Sequence, residues 1–301
     1  MAVEGVINVL KPAGMTSSDM INILRRTLDT RKMGHLGTLD PAAAGVLPVL
    51  AGRATKLFDL LNLHEKEYIA EFTFGMTTDT LDAQGNLLPV PGTPVYLYKK
   101  AVEDVLASFT GEIEQIPPMY SAIQYQGKRL YDLARKGISV ELEPRRVTVY
   151  RMELMRLTKK TLTLRIACSK GTYIRGICRD IATALNTVGY VSFLLRTRTG
   201  MYRLEESYTL DALSEARKNG ALETLAQPMD QAVIGLPEMR FPKRYAKVLL
   251  HGGGLDEEFA LPREDFRAYC GEIFLGIGKG RGEKVVSPFR FKICLCTPPE
   301  A

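Results

Sequence analysis

Gly34-His35-Leu36-Gly37-Thr38-Leu39-Asp40-Pro41, running on through Gly45 to Pro48, sets one carboxylate at the tip of a glycine-punctuated loop. Proline's ring disfavours the helical region for the residue before it, so Asp40 is expected to be extended. Gly34 and Gly37 permit a tight path that residues with a Cβ resist. A buried, rigidly aimed aspartate suits a nucleophile or a general base. Read alone, the stretch is also an Asp-Pro turn, which is common.

Working outward, five further stretches stand out. They are Lys11-Pro12-Ala13-Gly14-Met15-Thr16-Ser17-Ser18-Asp19; Lys66-Glu67-Tyr68, followed by Phe74-Gly75, Thr78-Asp79-Thr80 and Asp82-Ala83-Gln84-Gly85; Pro117-Pro118-Met119-Tyr120-Ser121-Ala122, followed by Gly127-Lys128-Arg129-Leu130-Tyr131 and Ala134-Arg135; Cys168-Ser169-Lys170-Gly171-Thr172-Tyr173-Ile174-Arg175; and Leu195-Arg196-Thr197 with Gly200. Together with the Asp40 loop they resemble the TruB family, the bacterial tRNA pseudouridine synthases that make pseudouridine 55 in the T loop. They follow that family's order across about residues 3–230. Beyond about residue 240 the likeness is weak. One position departs from the family's Ser-Ala-x-Lys: here the run is Ser121-Ala122-Ile123-Gln124.

The chain has 301 residues, 46% of them hydrophobic and 25% charged, which is ordinary for a soluble protein with one large domain and a small one. No apolar run reaches membrane-spanning length and no signal-peptide pattern is present, so a cytoplasmic location is expected. The cysteines form no Cys-x-x-Cys pair and the three histidines are far apart, which argues against zinc and for reduced thiols. A net charge of +6 alone is not diagnostic. Its distribution says more. Residues 119–151 hold seven Lys/Arg against three acids, with Tyr120, Tyr125 and Tyr131 interleaved. Cations for phosphates and rings for unstacked bases suit RNA, although a solvated basic hairpin-helix has the same composition.

Hydrophobic periodicity gives strands at Gly5–Leu10, Glu67–Gly75, Ser121–Tyr125, Arg145–Arg156, Thr161–Ser169 and Val188–Arg196. Helices are expected from a Ser17 or Ser18 cap to Leu28, near Arg53–Leu61, at Lys99–Ser108 after a Gly92–Pro94 break, at Leu130–Lys136, from a Thr172 cap to Leu185, and at Leu210–Lys218 behind Thr209. Strands in hairpins mixed with helices imply an α+β fold with a mixed, largely antiparallel sheet and flanking helices. Leu236 to Pro242 reads as a linker, dividing a catalytic domain at 1–235 from a small unit at 240–301. In that unit Gly252-Gly253-Gly254 and the apolar runs Glu272–Ile277 and Lys284–Cys296 suit a small β-barrel. The resemblance makes it a PUA-type RNA-binding domain. Gly278-Lys279-Gly280-Arg281-Gly282 lacks the spacing and the hydroxyl residue of a phosphate-binding loop.

The resemblance implies roles. Asp40 is the catalytic carboxylate, Arg175 its guanidinium partner, and Tyr68 the ring that packs on the uracil with a hydroxyl near C5. His35 packs into the T loop and helps displace the target base. Lys11 and Pro12 support the floor, Tyr173 binds substrate, and Leu195 walls the pocket. Lys128, Arg129 and Arg135 grip RNA from the insertion. The implied reaction needs no metal and no cofactor, only a tRNA T stem-loop, and a monomer without protein partners is expected. A guide-RNA-dependent relative shares the core but largely lacks the 119–151 insertion. A non-catalytic RNA-binding protein on the same scaffold would have no use for Asp40, Tyr68 and Arg175 together.

Overall fold

An apolar run buried along most of its length, Gly5–Lys11, forms β1. The computed structural model describes residues 3–61, 65–89, 97–251, 258–280, 282, 284–285 and 291–296. The helix Ser17–Thr27 (α1) leads to Met33–His35 (β2) and Ala44–Ala51 (β3). In Glu65–Phe74 (β4) the even-numbered residues Tyr68, Ala70, Phe72 and Phe74 are buried, the period-two pattern of a strand facing a core. Thr77–Thr78 (β5) and Leu87–Leu88 (β6) form a short hairpin before Lys99–Ser108 (α2) and Gly111–Gln115 (β7). Gln124–Tyr125 (β8), Lys128–Arg129 (β9) and Leu130–Ala134 (α3) make the insertion. Arg145–Leu157 (β10), Thr161–Ser169 (β11), Ile174–Ala184 (α4), Gly189–Thr199 (β12), Tyr202–Arg203 (β13), Leu210–Lys218 (α5) and Met229–Ala232 (α6) follow.

The main sheet runs β1-β3-β12-β4-β11-β10-β7, with β2 beside β3 and β13 beside β12. Among the described residues its pairings are antiparallel except β3 with β12, where Leu195 meets Ala44 and Arg196 meets Gly45. This is the mixed, largely antiparallel α+β sheet that the patterning implies. A cluster with Phe72, Leu164, Ile177 and Ile181 packs α2 and α4 on the sheet. A second, with Val9, Met20, Leu24 and Leu213, packs α1 and α5.

Local differences have local causes. Gly45–Pro48 belongs to strand β3, not to the loop: Pro48 sits opposite Asn8, and its carbonyl accepts from the Leu36 N–H at 2.8 Å. Gly45 must be glycine, because its φ is +121° and a Cβ would lie 2.2 Å from the Arg196 carbonyl oxygen. Arg53–Leu61 is a single 3₁₀ stretch, Gly52–Leu57. Thr16, not Ser17 or Ser18, caps α1: it accepts from the Asp19 N–H, and Asp19 accepts from the Thr16 N–H, a reciprocal capping box. Thr172 does not cap α4. Tyr173 holds that position, and its N–H goes to the side-chain oxygen of Gln115 at 2.9 Å.

The expected linker is a strand. Glu238–Phe241 (β14), flanked by Pro237 and Pro242, lies at the edge of a four-stranded sheet, where prolines are tolerated. It pairs parallel with Phe266–Cys270 (β16), which continues through Ile273–Gly278 (β17) to Phe291–Cys294 (β19). Phe259–Ala260 (β15) and Lys284–Val285 (β18) pair separately. Phe241, Leu249, Phe266 and Leu275 form the local core, but Ile277 and Leu295 join Val6, Leu36 and Leu50 in a cluster shared with the main sheet. The Gly92–Pro94 break and the Gly252–Gly254 run lie outside the described residues.

Candidate active site

Three clamps hold the Asp40 loop. Ser17, buried in the first turn of α1, donates to the Leu39 carbonyl at 3.0 Å and accepts from the Leu39 N–H at 2.9 Å. Arg196, fully buried on β12, donates to the carbonyls of Val46 (2.8 Å), Thr38 (3.2 Å) and Gly37 (3.1 Å). Arg175, in the first turn of α4, donates from Nε to the Asp40 carboxylate at 2.9 Å. Its remaining nitrogens are also engaged. One donates to the Thr80 carbonyl (2.9 Å) and lies 3.8 Å from the Asp82 carboxylate; the other donates to the Tyr120 carbonyl (2.9 Å). Such a planar fork fixes a carboxylate in direction as well as in charge.

Asp40 is not buried as its motif suggests. Its side chain is 33% exposed, whereas that of Arg175 is 5% exposed. The carboxylate is fixed from behind and open in front. It faces a cleft of about 970 Å³ whose walls include His35, Thr80, Tyr120, Arg129, Tyr131 and Arg135. A smaller pocket of about 200 Å³ opens beside it, lined by Asp40, Lys66, Tyr68, Tyr173 and Leu194 among others. Leu195 does not line it. Alternation along β12 turns Leu194 inward with Arg196 and Leu195 to the other face.

Burial pushes the Tyr68 phenol up to about 12, although the neighbouring Arg196 guanidinium opposes the rise. Tyr68 is therefore a neutral O–H donor at neutral pH. Burial also raises the Tyr173 phenol. His35 lies in β2, not in the loop. Burial and then the Arg196 charge lower its pKa, and its Nδ1 has no partner among the described residues. Lys11 is fully buried beneath the loop and donates to the carbonyls of Pro12 (2.7 Å) and Met15 (2.8 Å). Burial lowers it to about 8, with Asp40 opposing. Pro12 contributes a carbonyl only; its ring is exposed and outside the cleft.

The insertion roofs the cleft. Leu130 is its buried anchor, and the Tyr131 ring is flanked by Arg129 at 5.9 Å and Arg135 at 5.6 Å. Lys128 lines an outer groove of about 560 Å³ together with Arg129, Tyr131 and Arg135. Two cations of the 119–151 segment have acids from outside it: Arg146 lies 3.5 Å from Glu112, and Arg151 lies 3.1 Å from Glu67. The segment's free charge is thus concentrated at 128–136. Ser17, Asp82, Leu194 and Arg196 hold places in the site to which their motifs alone assign no role. Arg196 has a signal: a charged residue on the inward face of β12, following the buried apolar Val191 and Leu194.

The N-terminal domain of the TruB family pseudouridylate synthases matches residues 25–174, and the C-terminal domain of tRNA pseudouridylate synthase B matches residues 175–234. The chain is 43% identical to tRNA pseudouridine synthase B of Caldanaerobacter subterraneus subsp. tengcongensis, covering 95% of this chain and 98% of that one. It is 40% identical to the protein of the same name from Clostridium kluyveri, covering 96% and 98%. The chain belongs to the TruB family of pseudouridylate synthases. The TruB fold extends to more distant structures. A Cbf5-Nop10-Gar1 complex aligns with a TM-score of 0.71 at 24% identity, covering 98% of this chain and 86% of that one. An H/ACA RNP bound to a substrate RNA containing 2'-deoxyuridine aligns at 0.69 and 24%, covering 97% and 85%. At that identity the likeness speaks for the fold alone.

Proposed function

We propose that this enzyme isomerises uridine to pseudouridine at position 55 in the T loop of tRNA, with Asp40, Arg175 and Tyr68 as its catalytic residues. The observation that carries the site is a carboxylate fixed by a buried arginine at the meeting of two cavities: a 200 Å³ pocket with a tyrosine wall and a 970 Å³ cleft roofed by arginines and tyrosines. The small pocket suits one base, and the large cleft suits the loop from which it is flipped. The relatives named tRNA pseudouridine synthase B support the substrate.

The reaction breaks the bond between C1′ and N1, turns the uracil, joins C1′ to C5, and moves a proton from C5 to N1. Nothing is oxidised or reduced. Arg175 holds the Asp40 carboxylate toward the pocket, where it attacks the sugar, attacks the base, or takes a sugar proton. Tyr68 packs on the uracil as a neutral phenol, with Leu194 and Tyr173 as further walls. His35, neutral and at the mouth, enters the T loop beside the displaced base. Lys128, Arg129 and Arg135 meet phosphates, Tyr131 being held between two of them. Residues 240–301 assist RNA binding as a PUA-like unit. The enzyme works in the cytoplasm as a monomer. Among the described residues no helix is long and apolar enough to cross a membrane.

The test is conversion of an unmodified tRNA transcript and of an isolated T-arm by purified protein, with Asp40→Asn as control. The wild type forms pseudouridine at that one position. The variant keeps shape without charge, so it binds RNA within a few-fold and makes no product. Turnover by Asp40→Asn above background removes Asp40 from the chemistry.

A further inference from the structure

Lys66 is a half-buried cation that neither the Asp40–Arg175 pair nor the loop clamps employ. It stands two residues before Tyr68 on β4, shares its face, and lines the same 200 Å³ pocket as Asp40. Its sequence neighbours do not neutralise it. Glu65 pairs with Arg198, and Glu67 pairs with Arg151 and accepts from the Thr197 hydroxyl. Among the described residues the Lys66 side chain makes no hydrogen bond and no ion pair.

Cations stand beside Lys66. A Cβ built on Gly37 would lie 3.3 Å from Lys66 Nζ and 3.8 Å from Arg196 Nη1, so the two heads flank one glycine of the Asp40 loop. Burial, then Arg196 and more weakly Lys170, push the Lys66 ammonium down to about 8, with Cys168 opposing. A partly desolvated ammonium without an acceptor is unfavourable, and like charges beside it add to that. A bound anion relieves both. The lysine's stem covering pocket wall explains its burial but not an ammonium head held beside Arg196, with the carboxylates of Asp40, Glu65 and Glu67 each engaged by an arginine.

We propose that Lys66 receives a phosphodiester adjoining the flipped nucleotide, from inside the pocket. The inference rests on the RNA-modifying reading above and adds a substrate-binding residue to it. A flipped nucleotide brings a phosphate on either side of its sugar, and lysine meets phosphate as a compact point charge with rotatable donors. The pocket would then hold the nucleotide at two ends: the base on Tyr68 and Leu194, the backbone on Lys66. The insertion's cations grip other phosphates from the rim.

The probe is a T-arm stem-loop in three forms: unmodified, and with a neutral methylphosphonate replacing the phosphate on the 5′ or the 3′ side of the target uridine. Affinity is measured for the full-length wild type, Lys66→Gln, Lys66→Arg and, as a rim control, Arg129→Ala, each checked for an unchanged unfolding midpoint. One of the two neutral RNAs binds the wild type roughly tenfold more weakly, the scale of one charge-assisted hydrogen bond. Lys66→Gln shows a similar loss on unmodified RNA and no further loss on that neutral RNA. Lys66→Arg keeps part of the affinity, and Arg129→Ala stays additive with both substitutions. Lys66→Gln losses additive with both neutral RNAs, or wild-type affinity in Lys66→Gln, overturn the proposal while conversion by the wild type leaves the RNA-modifying reading standing. A wild type that does not convert the unmodified stem-loop overturns that reading, and this proposal with it.

Discussion

Arg175 is the side chain on which most of the site converges, because its three nitrogens reach Asp40, Thr80 and Tyr120 on three separate segments. Lysine has the charge without the fork, so Arg175→Lys leaves Asp40 free to turn. Misplacement of a reacting group by an ångström costs roughly 100-fold in rate, and single-turnover conversion falls by at least that factor while RNA affinity changes little. Near-normal conversion by Arg175→Lys removes the orienting role. Tyr68→Phe keeps the stacking surface and loses the O–H; it binds RNA normally and turns over slowly if the hydroxyl moves a proton, so full activity in that variant reduces Tyr68 to a wall. His35 adds a pH signature. Its folded pKa lies below the ordinary 6.5, so the unfolded chain binds the proton more tightly and stability falls as pH drops through 6.5 and below. Thermal unfolding of wild type and His35→Phe between pH 7 and 5 checks this: the difference between them narrows or reverses toward acid.

At the level of elements, the Asp40 loop is held by what lies under it. Arg196→Met removes three hydrogen bonds to loop and strand carbonyls without touching the rim. The maximal rate therefore falls while the Michaelis constant for RNA holds, and a change in the Michaelis constant alone contradicts the clamp. The insertion behaves in the opposite way. Alanine at Lys128, Arg129, Arg135 and Lys136 lowers the slope of log affinity against log salt by roughly 0.7–0.9 for each phosphate that is no longer neutralised, with the rate at saturation nearly kept. Much of this is legible in sequence. Strands β10 and β11, helix α2 and the Thr209-capped helix follow local periodicity and caps, and Asp40, Tyr68 and Arg175 stand in distinctive motifs. The rest depends on partners distant in sequence. Strand β3 is hidden by Gly45 and Pro48, which read as breakers until β1 and β12 are placed beside them. Leu194 and Leu195 are chemically identical, and only the register of β12 says which one faces the pocket. Ser17 reads as a cap because its bonds to Leu39 span 22 residues and leave no local trace.

Across the whole molecule, described residues of the 236–296 stretch pack against the main sheet. The Tyr269 hydroxyl donates to the Asp230 carboxylate at 2.9 Å and Lys56 to the Cys294 carbonyl at 2.8 Å, while Ile277 and Leu295 pack with Val6 and Leu50. Ile277→Ala should therefore lower the stability of the main sheet as well, by roughly 2–5 kcal/mol for a buried aliphatic truncation, within one cooperative transition. A separate early transition in calorimetry, with the main one unmoved, shows instead that the two parts unfold independently. The clamps on the Asp40 loop have one further property: apart from Asp40 itself, every atom they grasp in the loop and in the strand that follows it is main chain, the carbonyls of Gly37, Thr38, Leu39 and Val46 and the N–H of Leu39. Every residue type offers those carbonyls, so the loop's geometry is written in the residues that grip it more than in its own letters. In a saturation library Thr38 would accept many substitutes, whereas Ser17, Arg175 and Arg196, distant along the chain, would accept few.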